Sequence, residues 1–366
     1  MLNAYLLRAT FKLGNLLPTK SLLKPKHLMR GSRVAAISPS WGGPSVFPAR
    51  YEFGKQQLEQ IFGVEVIEMP HTLAAAAWIS SNPAARAADI MQAFADPSID
   101  AVFATIGGSD AIRLIPHLDL SVIRDNPKIL LGYSDTTALH FACMAAGVSS
   151  FYGPSIMSGF AENGGVHGYT ADGVRKALFR AEPLGEIQPN LEGWTCEKTD
   201  WADVSAQLTP APLRAAFRPK LLQGRGVVTG RLIGGCAEVL EMLKATPWWP
   251  QPEDWSDAIL FYETSEDAPS PDFIRYWLRN FAAQGILKRL SGILVAQPDP
   301  AGNDTYRSRL EQVFIDVLAE EGLIHLPVLS GMEFGHTQPM ITLPYGGLAQ
   351  IDADNASLTL LEPATT

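Results

Sequence analysis

Cysteine, positive charge and long apolar runs are all scarce in this sequence, and each shortage excludes a class of protein. The 366 residues include three cysteines, Cys143, Cys196 and Cys236, an odd number in no metal-binding pattern. We therefore expect no disulfide framework, no metal site and a reducing, cytoplasmic setting. Lysine and arginine number 29 against 38 aspartates and glutamates, and the formal net charge of −9 argues against a nucleic-acid partner.

The N-terminal segment is apolar but too interrupted to cross a membrane. In MLNAYLLRATFKLGNLLPTK, Arg8 and Lys12 break the run, and no small-residue cleavage site follows. No other stretch reaches the ~20 apolar residues that span a bilayer, so we expect no stable membrane insertion. We take residues 1–30 as an N-terminal extension, with a weakly amphipathic, surface-associating helix as the alternative.

From Gly31 onward, short apolar runs alternate with helical patterns. Strands are predicted over 33–38, 64–68, 99–106 and 128–131, and a helix over 49–62. In another predicted helix the apolar residues share one face: Ala87, Ile90, Met91 and Phe94. Alternation of this kind predicts an α/β fold in which helices cover both faces of a parallel sheet.

A second α/β half follows a long irregular stretch. Residues 159–224 hold several glycines and prolines, with periodicity only near 171–179, and are predicted to form a connecting region with an elaborated loop. After it, strands are predicted over 226–233, 257–263 and 290–296, with helices between them. The sequence pattern near the C-terminus predicts a β-hairpin with ADNA (353–356) as its turn.

A serine stands where the fourth predicted strand gives way to a helix, in GYSDT (132–136). Such a turn would expose the Ser134 hydroxyl and aim the free N–H groups of the first helical turn at a developing negative charge. The sequence has the leading glycine of the G-x-S-x-G elbow but threonine at the trailing position. Ser134 is therefore either a nucleophile or, with Asp135, only a cap of the following helix.

Three further features have both a chemical and a structural interpretation. Gly107 and Gly108 end a predicted strand and form either half of an oxyanion hole, a phosphate-cradling turn or a sterically required bend. Glu263 ends another strand, where α/β folds open onto their ligand crevice, whereas Glu266 and Asp267 fit solvated loop acids better. His336 precedes a proline-bounded strand and is either catalytic or structural.

In their order along the chain, these motifs resemble the LD-carboxypeptidase family of serine peptidases, which includes the microcin C self-immunity peptidases. The resemblance runs from about Gly31 to Glu362. It rests on these segments: SPSWGG (38–43), ATIGGSD (104–110), NPKILLGYSDTTALH (126–140), GRLIGGCAEVLEML (230–243), LFYETSEDAPSP (260–271) and GHTQPMITLPYG (335–346). The first, second and fifth of them look closer to the microcin-type branch.

The resemblance implies a Ser-His-Glu triad. Ser134 would be the nucleophile, His336 the acid–base and Glu263 the residue that orients the imidazole. The backbone amides of Gly108 and Asp135 would form the oxyanion hole.

The resemblance also implies an architecture. It comprises a Rossmann-like N-terminal domain at 31–160, a connecting region at 161–225 and a smaller C-terminal α/β domain at 226–363. The active site would lie where the two domains meet. The family commonly forms homodimers, and no metal or organic cofactor is implied.

The implied substrate is a small peptide or a peptidyl nucleotide. Family members cleave either the L,D bond before the terminal D-alanine of murein tetrapeptides or the amide of a microcin C-like aminoacyl nucleotide. Gly107 and Trp194 are the expected substrate contacts, and Trp194 or Trp201 either stacks on a nucleobase or anchors the connecting loop. A non-catalytic two-domain protein that binds a small ligand or peptide is the alternative function.

Overall fold

The computed structural model describes residues 21–197, 199–216, 218–299 and 304–366. The first twenty residues, for which the sequence leaves an extension or an amphipathic helix, lie outside the described residues. Among those described, no helix is long and apolar enough to cross a bilayer. Strands and helices alternate through most of the chain, so the mixed α/β class predicted from periodicity is confirmed.

The described strands, in chain order, are β1 (Arg33–Ile37), β2 (Glu65–Glu68), β3 (Ala101–Ala104), β4 (Ile129–Gly132), β5 (Phe151–Tyr152), β6 (Pro183–Glu186), β7 (Lys220–Gln223), β8 (Val227–Cys236), β9 (Ala258–Glu263), β10 (Gly292–Ala296), β11 (Val328–Met332), β12 (Leu343–Pro344), β13 (Leu348–Asp352) and β14 (Ser357–Pro363). The described helices are α1 (Gly43–Val46), α2 (Pro48–Phe62), α3 (Ala76–Ser81), α4 (Pro83–Ala95), α5 (Leu120–Asp125), α6 (Thr137–Ala145), α7 (Gly168–Leu178), α8 (Ala237–Leu243), α9 (Pro271–Ala283) and α10 (Asp304–Glu320).

The first sheet is mainly parallel and has the order β12-β5-β4-β3-β1-β2. Strands β1 to β5 pair in parallel, and β12 closes one edge antiparallel to β5. Because β2 and β3 flank β1 on opposite sides, the strand order reverses direction beside β1. In open α/β sheets, ligands bind at such a switch point, outside the carboxyl ends of the strands.

The second sheet has a parallel centre, β8-β9-β10-β11, and antiparallel strands at both edges. The predicted hairpin is present: β13 and β14 pair antiparallel around the turn at 353–356. Helix α10 buries one apolar face at helical spacing, formed by Leu310, Val313, Phe314, Val317 and Leu318. Each such side chain contributes about 1.5–3 kcal/mol when removed from water.

The chain crosses between the two halves more often than the sequence indicates. The predicted connecting region contributes β6 and β7 to the edges of the second sheet, two strands that the sequence analysis did not identify. Strand β12, which lies between β11 and β13 in the chain, pairs with the first sheet. Short polar edge strands carry a weak periodic signal, and their pairing depends on partners distant in sequence. The boundaries at 31–160, 161–225 and 226–363 remain predictions.

Candidate active site

The cleft opens at the switch point of the first sheet. The loops that follow β1, β3 and β4 meet there and supply Trp41, Gly107 and Ser134 to its wall. The second sheet supplies His336 from the segment after β11. The cavity has a volume of about 510 Å³, the size of a site for a small molecule or short peptide.

Ser134 has a strained backbone. Strand β4 ends at Gly132, Tyr133 is extended, and Ser134 has a φ of +59°, a left-handed conformation that side chains other than glycine rarely adopt. Such strain of about 1–3 kcal/mol clusters at functional sites. The helix-cap alternative is wrong, because neither the Ser134 nor the Asp135 side chain bonds to the first turn of α6.

His336 joins Ser134 to Glu263 in one line of hydrogen bonds. Its Nε2 lies 3.1 Å from the Ser134 Oγ, and its Nδ1 lies 2.7 Å from the Glu263 Oε2. Glu263 is the last residue of β9 and is buried, so its carboxylate is fixed inside the protein. The three residues, 129 and 73 positions apart along the chain, come together as the resemblance implies (263 − 134 and 336 − 263).

Gly335 allows this close approach. Its φ is +89°, and a Cβ atom there would stand 2.6 Å from the Glu263 Oε2. Glycine is therefore required both for the left-handed turn and for the space that the carboxylate occupies.

Glu263 has a second partner, Tyr152, which the sequence analysis did not identify. The Tyr152 hydroxyl donates a hydrogen bond to the Glu263 Oε1 and accepts one from the backbone N–H of Ser134 at 3.1 Å. Tyr152 is the last residue of β5, fully buried between the two sheets. No motif marks it in the sequence, since its role depends on the pairing of β5 with β4.

The environment of His336 favours its protonated form. Burial lowers the pKa of the imidazole, but the charge and hydrogen bond of Glu263, together with those of Glu266, outweigh burial and leave the pKa well above its ordinary value. Glu266 fits the prediction of a solvated loop acid in that its side chain is 54% exposed, yet its Oε2 lies 3.0 Å from the His336 Nε2.

The glycine pair lies directly beside the nucleophile. A Cβ atom on Gly107 would stand 3.0 Å from the Ser134 Cβ and 3.1 Å from its Oγ. Gly108 has a φ of +141°, and no described group accepts a hydrogen bond from its amide. This amide and that of Asp135 are the two predicted oxyanion donors, and the proximity of the Gly107–Gly108 turn to Ser134 is consistent with that assignment.

The Asp135 side chain holds this loop in place. Its Oδ2 accepts hydrogen bonds from the Ser40 hydroxyl at 2.5 Å and from the amides of Asp110 and Ala111 at 2.8 and 2.7 Å. Burial raises the pKa of the carboxyl group against the opposing effect of these donors. One carboxylate thus ties the loops after β1 and β3 to the nucleophile turn.

Aromatic side chains form one wall of the cleft. Phe47 packs edge-on against both Trp41 and Trp201, with ring centroids 6.0 and 5.7 Å apart, and the Arg50 guanidinium lies 4.8 Å from the Trp201 ring. Trp194, the tryptophan selected as the substrate contact, is not in this wall. It is buried, pairs through its backbone with Arg214 and stacks against that guanidinium at 5.1 Å. Between the two tryptophans, the structure places Trp201 at the cleft and Trp194 in the packing of its loop.

The described cysteine and acidic side chains do not indicate a second reactive centre. Cys143 and Cys236 are buried free thiols, and burial raises the pKa of both. Cys196 lines the cleft beside Thr195. Within the described ranges, no group of three or more histidine, cysteine, aspartate or glutamate side chains is arranged to hold a metal ion.

Comparisons with known proteins agree on one family. Residues 34–153 match the LD-carboxypeptidase N-terminal domain and residues 229–351 match the LD-carboxypeptidase C-terminal domain. The chain is 30% identical to the microcin C7 self-immunity protein MccF of Escherichia coli, over 76% of this chain and 78% of that protein. It is 28% identical to a Bacillus subtilis protein named a probable murein peptide carboxypeptidase, over 90% and 91% of the two chains.

A solved structure shares the architecture. The MccF-like protein from Streptococcus pneumoniae in complex with AMP superposes with a TM-score of 0.80 at 28% identity, covering 90% of this chain and 98% of that one. The likeness extends over both sheets, so the two-domain α/β architecture expected from the sequence is confirmed.

Proposed function

The chain belongs to the LD-carboxypeptidase family, and we propose that it is a serine hydrolase that cleaves an amide bond with the triad Ser134, His336 and Glu263. The observation that carries this proposal is the unbroken line of hydrogen bonds from the Ser134 Oγ through the imidazole to the Glu263 carboxylate. A binding protein without catalysis has no need for a strained serine aligned with a buried base.

The three residues and the two backbone amides have distinct tasks in the reaction. The neutral Nε2 of His336 accepts the Ser134 proton as the Oγ attacks the carbonyl carbon, and the oxygen gains a negative charge beside the amides of Gly108 and Asp135. The C–N bond then breaks, and the imidazolium donates its proton to the leaving nitrogen. A water molecule, activated by the same imidazole, releases the acyl group from Ser134. Glu263 keeps the imidazole ring oriented toward Ser134 and stabilises its cationic form.

We propose a peptidyl or aminoacyl nucleotide as the substrate. The aromatic wall of Trp41, Phe47 and Trp201 offers flat faces on which a nucleobase can stack, an interaction worth about 1–3 kcal/mol per base. The likeness to MccF, and to a structure that holds AMP, supports this choice.

A murein tetrapeptide is the second candidate, with cleavage of the L,D bond before its terminal D-alanine. The similarity to the Bacillus subtilis murein peptide enzyme favours it. The cleft volume of about 510 Å³ admits either compound, so the two candidates require a direct comparison.

Hydrolysis of both candidate substrates by the wild type and by Ser134→Ala tests the proposal. We expect wild-type turnover of an aminoacyl sulfamoyl adenosine and a loss of at least about 1,000-fold in the variant, because removing the nucleophile of a triad has a cost of this order or greater. An unchanged thermal unfolding curve would show that the variant folds. Turnover of the murein peptide alone would select the second substrate, and binding without turnover would select the non-catalytic alternative.

We also propose that the protein is a cytoplasmic homodimer. None of its three cysteines forms a disulfide within the described residues, as a reducing compartment favours. Sedimentation analysis at micromolar concentration tests the dimer, and a monomer would contradict it.

A further inference from the structure

Thr137, the first residue of α6, forms a hydrogen-bonded bridge from the nucleophile turn to the second sheet. Its hydroxyl donates to the Ser134 carbonyl at 2.7 Å and accepts a hydrogen bond from the backbone amide of Cys236 at 3.2 Å. Cys236 is the last residue of β8 and pairs in register with Glu263 on the neighbouring strand. The carbonyl of the nucleophile is therefore tied to the strand beside the one that carries the triad glutamate.

The second sheet leaves a space that the Thr137 side chain fills. Gly235 has a φ of +133°, and a Cβ atom there would stand 2.7 Å from both the Oγ1 and the Cγ2 of Thr137 and 2.9 Å from the Tyr345 hydroxyl. Glycine is the residue that adopts this conformation readily and leaves this space open. Thr137 is fully buried, so its two hydrogen bonds form in a medium that strengthens them.

The bridge acts on the peptide group that contains a proposed oxyanion donor. A peptide group is planar and nearly always trans, so the Ser134 carbonyl and the Asp135 N–H form one rigid unit and point in opposite directions. Thr137 holds the carbonyl end with both its hydroxyl and its backbone amide. At the other end, the Asp135 nitrogen would lie 3.4 Å from a Cβ atom on Gly107, in the turn beside the Ser134 Oγ. Fixing the carbonyl therefore fixes the direction of the donor.

The bond to the Ser134 carbonyl has a local counterpart elsewhere in the chain. Threonine hydroxyls commonly bond to a carbonyl three or four residues back. Thr246 does so beyond the C-terminal end of α8, where its hydroxyl donates to the Leu243 carbonyl at 2.7 Å. At Thr137 the oxygen in addition accepts a hydrogen bond from a strand of the other sheet. Loss of the Thr137 hydroxyl would leave the Cys236 amide buried without this acceptor and allow the nucleophile turn to shift against β8.

We propose that Thr137 is a positioning residue that directs the Asp135 amide at the oxyanion by fixing the Ser134 carbonyl against the second sheet, an inference that rests on the proposed amide hydrolysis at Ser134. The hydrogen bond to the carbonyl oxygen also polarises the peptide group, which makes its N–H a stronger donor. Removing an oxyanion donor outright lowers kcat by about 100- to 1,000-fold. Misdirecting a donor that is still present should lower kcat by less, about 10- to 100-fold.

Thr137→Val and Thr137→Ser provide the test, because valine keeps the branched shape without the hydroxyl and serine keeps the hydroxyl. With whichever candidate substrate the wild type hydrolyses, we expect Thr137→Val to lose about 10- to 100-fold in kcat while KM stays within about threefold, since the oxyanion forms only in the transition state. Thr137→Ser should regain most of this kcat. Thr246→Val is the matched control, because it removes the same local bond, and its kcat should equal that of the wild type.

The pH profile separates a misdirected donor from a damaged triad. The Thr137 hydroxyl bonds to backbone groups, so its loss leaves the hydrogen bond between His336 and Glu263 in place. The acid limb of kcat/KM should therefore stay at the wild-type pH in Thr137→Val while kcat falls. A limb that moved together with kcat would assign the loss to the imidazole and overturn the inference.

Two further outcomes would overturn the inference alone, provided that Ser134→Ala is inactive. They are a wild-type kcat in Thr137→Val, with folding verified by far-UV circular dichroism at the assay temperature, and an equal loss of kcat in Thr137→Val and Thr137→Ser. If valine prevents folding, Thr137→Ala takes its place in the same comparison with Thr137→Ser. Absence of wild-type turnover of both candidate substrates would overturn the proposed function and this inference with it.

Discussion

Single side chains set the chemistry of the cleft, and Tyr152 shows how a residue without a motif takes part. Its hydroxyl supports both ends of the triad, by donating to Glu263 and accepting from the Ser134 amide. Replacing Tyr152 with phenylalanine would keep the aromatic ring in its buried position and remove only these two hydrogen bonds.

We expect Tyr152→Phe to lower kcat/KM by about 10- to 100-fold, since a hydrogen bond to a charged group contributes about 1.5–3 kcal/mol. Tyr345→Phe is the matched control, because its buried hydroxyl donates to the Gly234 carbonyl and not to the triad. Both variants should lose similar stability in chemical unfolding, but only Tyr152→Phe should lose activity to this extent. Equal activity in the two variants would contradict a role for Tyr152 in positioning.

The pH dependence of the wild type follows from His336. Burial lowers the pKa of this imidazole, but Glu263 and Glu266 raise the pKa by more than burial lowers it, so the net shift is upward. Below that pKa the ring is protonated and cannot accept the Ser134 proton. We therefore expect kcat/KM to rise with pH through an acid limb above the ordinary histidine value of about 6.5. A pH–rate profile checks this, and a limb at or below pH 6.5 would be contrary evidence.

At the scale of elements, the tight turns at strand ends matter more than the helices they join. Gly335 follows β11 in a left-handed turn directly against the Glu263 carboxylate. Gly285 has a similar φ of +72° beyond α9, but a Cβ atom there meets nothing within 4 Å. Alanine at Gly285 would therefore show the cost of the left-handed backbone alone, whereas alanine at Gly335 would add a steric effect on the triad.

We expect both Gly335→Ala and Gly285→Ala to lose about 1–2 kcal/mol of unfolding free energy, the cost of a left-handed alanine. Gly335→Ala should in addition lose roughly 100-fold or more in kcat, because the Glu263 carboxylate must move by a large fraction of an ångström. Denaturant unfolding and steady-state kinetics on the two variants measure these effects. Full activity in a folded Gly335→Ala would show that the carboxylate position is not critical.

Across the whole molecule, the two sheets share one buried apolar cluster. It includes Leu130 and Tyr152 from the first sheet and Phe261 from the second. Tyr345 bridges them, with its ring centroid 5.0 Å from that of Phe261 and 6.4 Å from that of Tyr152. Strand β12 adds a backbone connection across the same seam.

We expect this shared core to give one cooperative unfolding transition. Far-UV circular dichroism, tryptophan fluorescence and residual hydrolysis should lose their signals at the same guanidinium concentration, because neither sheet can expose the seam alone. Two separated transitions, with activity lost in the first, would mean that the halves unfold independently.

The sequence by itself determined the alternating strands and helices, because burial on both faces of a parallel sheet leaves a periodic apolar pattern that is local in the chain. It also determined which serine, glutamate and histidine to examine, since each stands at a strand end within a motif. It could not determine that Tyr152 supports Glu263, that Glu266 reaches His336, or that Trp201 rather than Trp194 lines the cleft. Those contacts join residues far apart in the chain, and only the packing of one sheet against the other brings them within hydrogen-bonding or stacking distance.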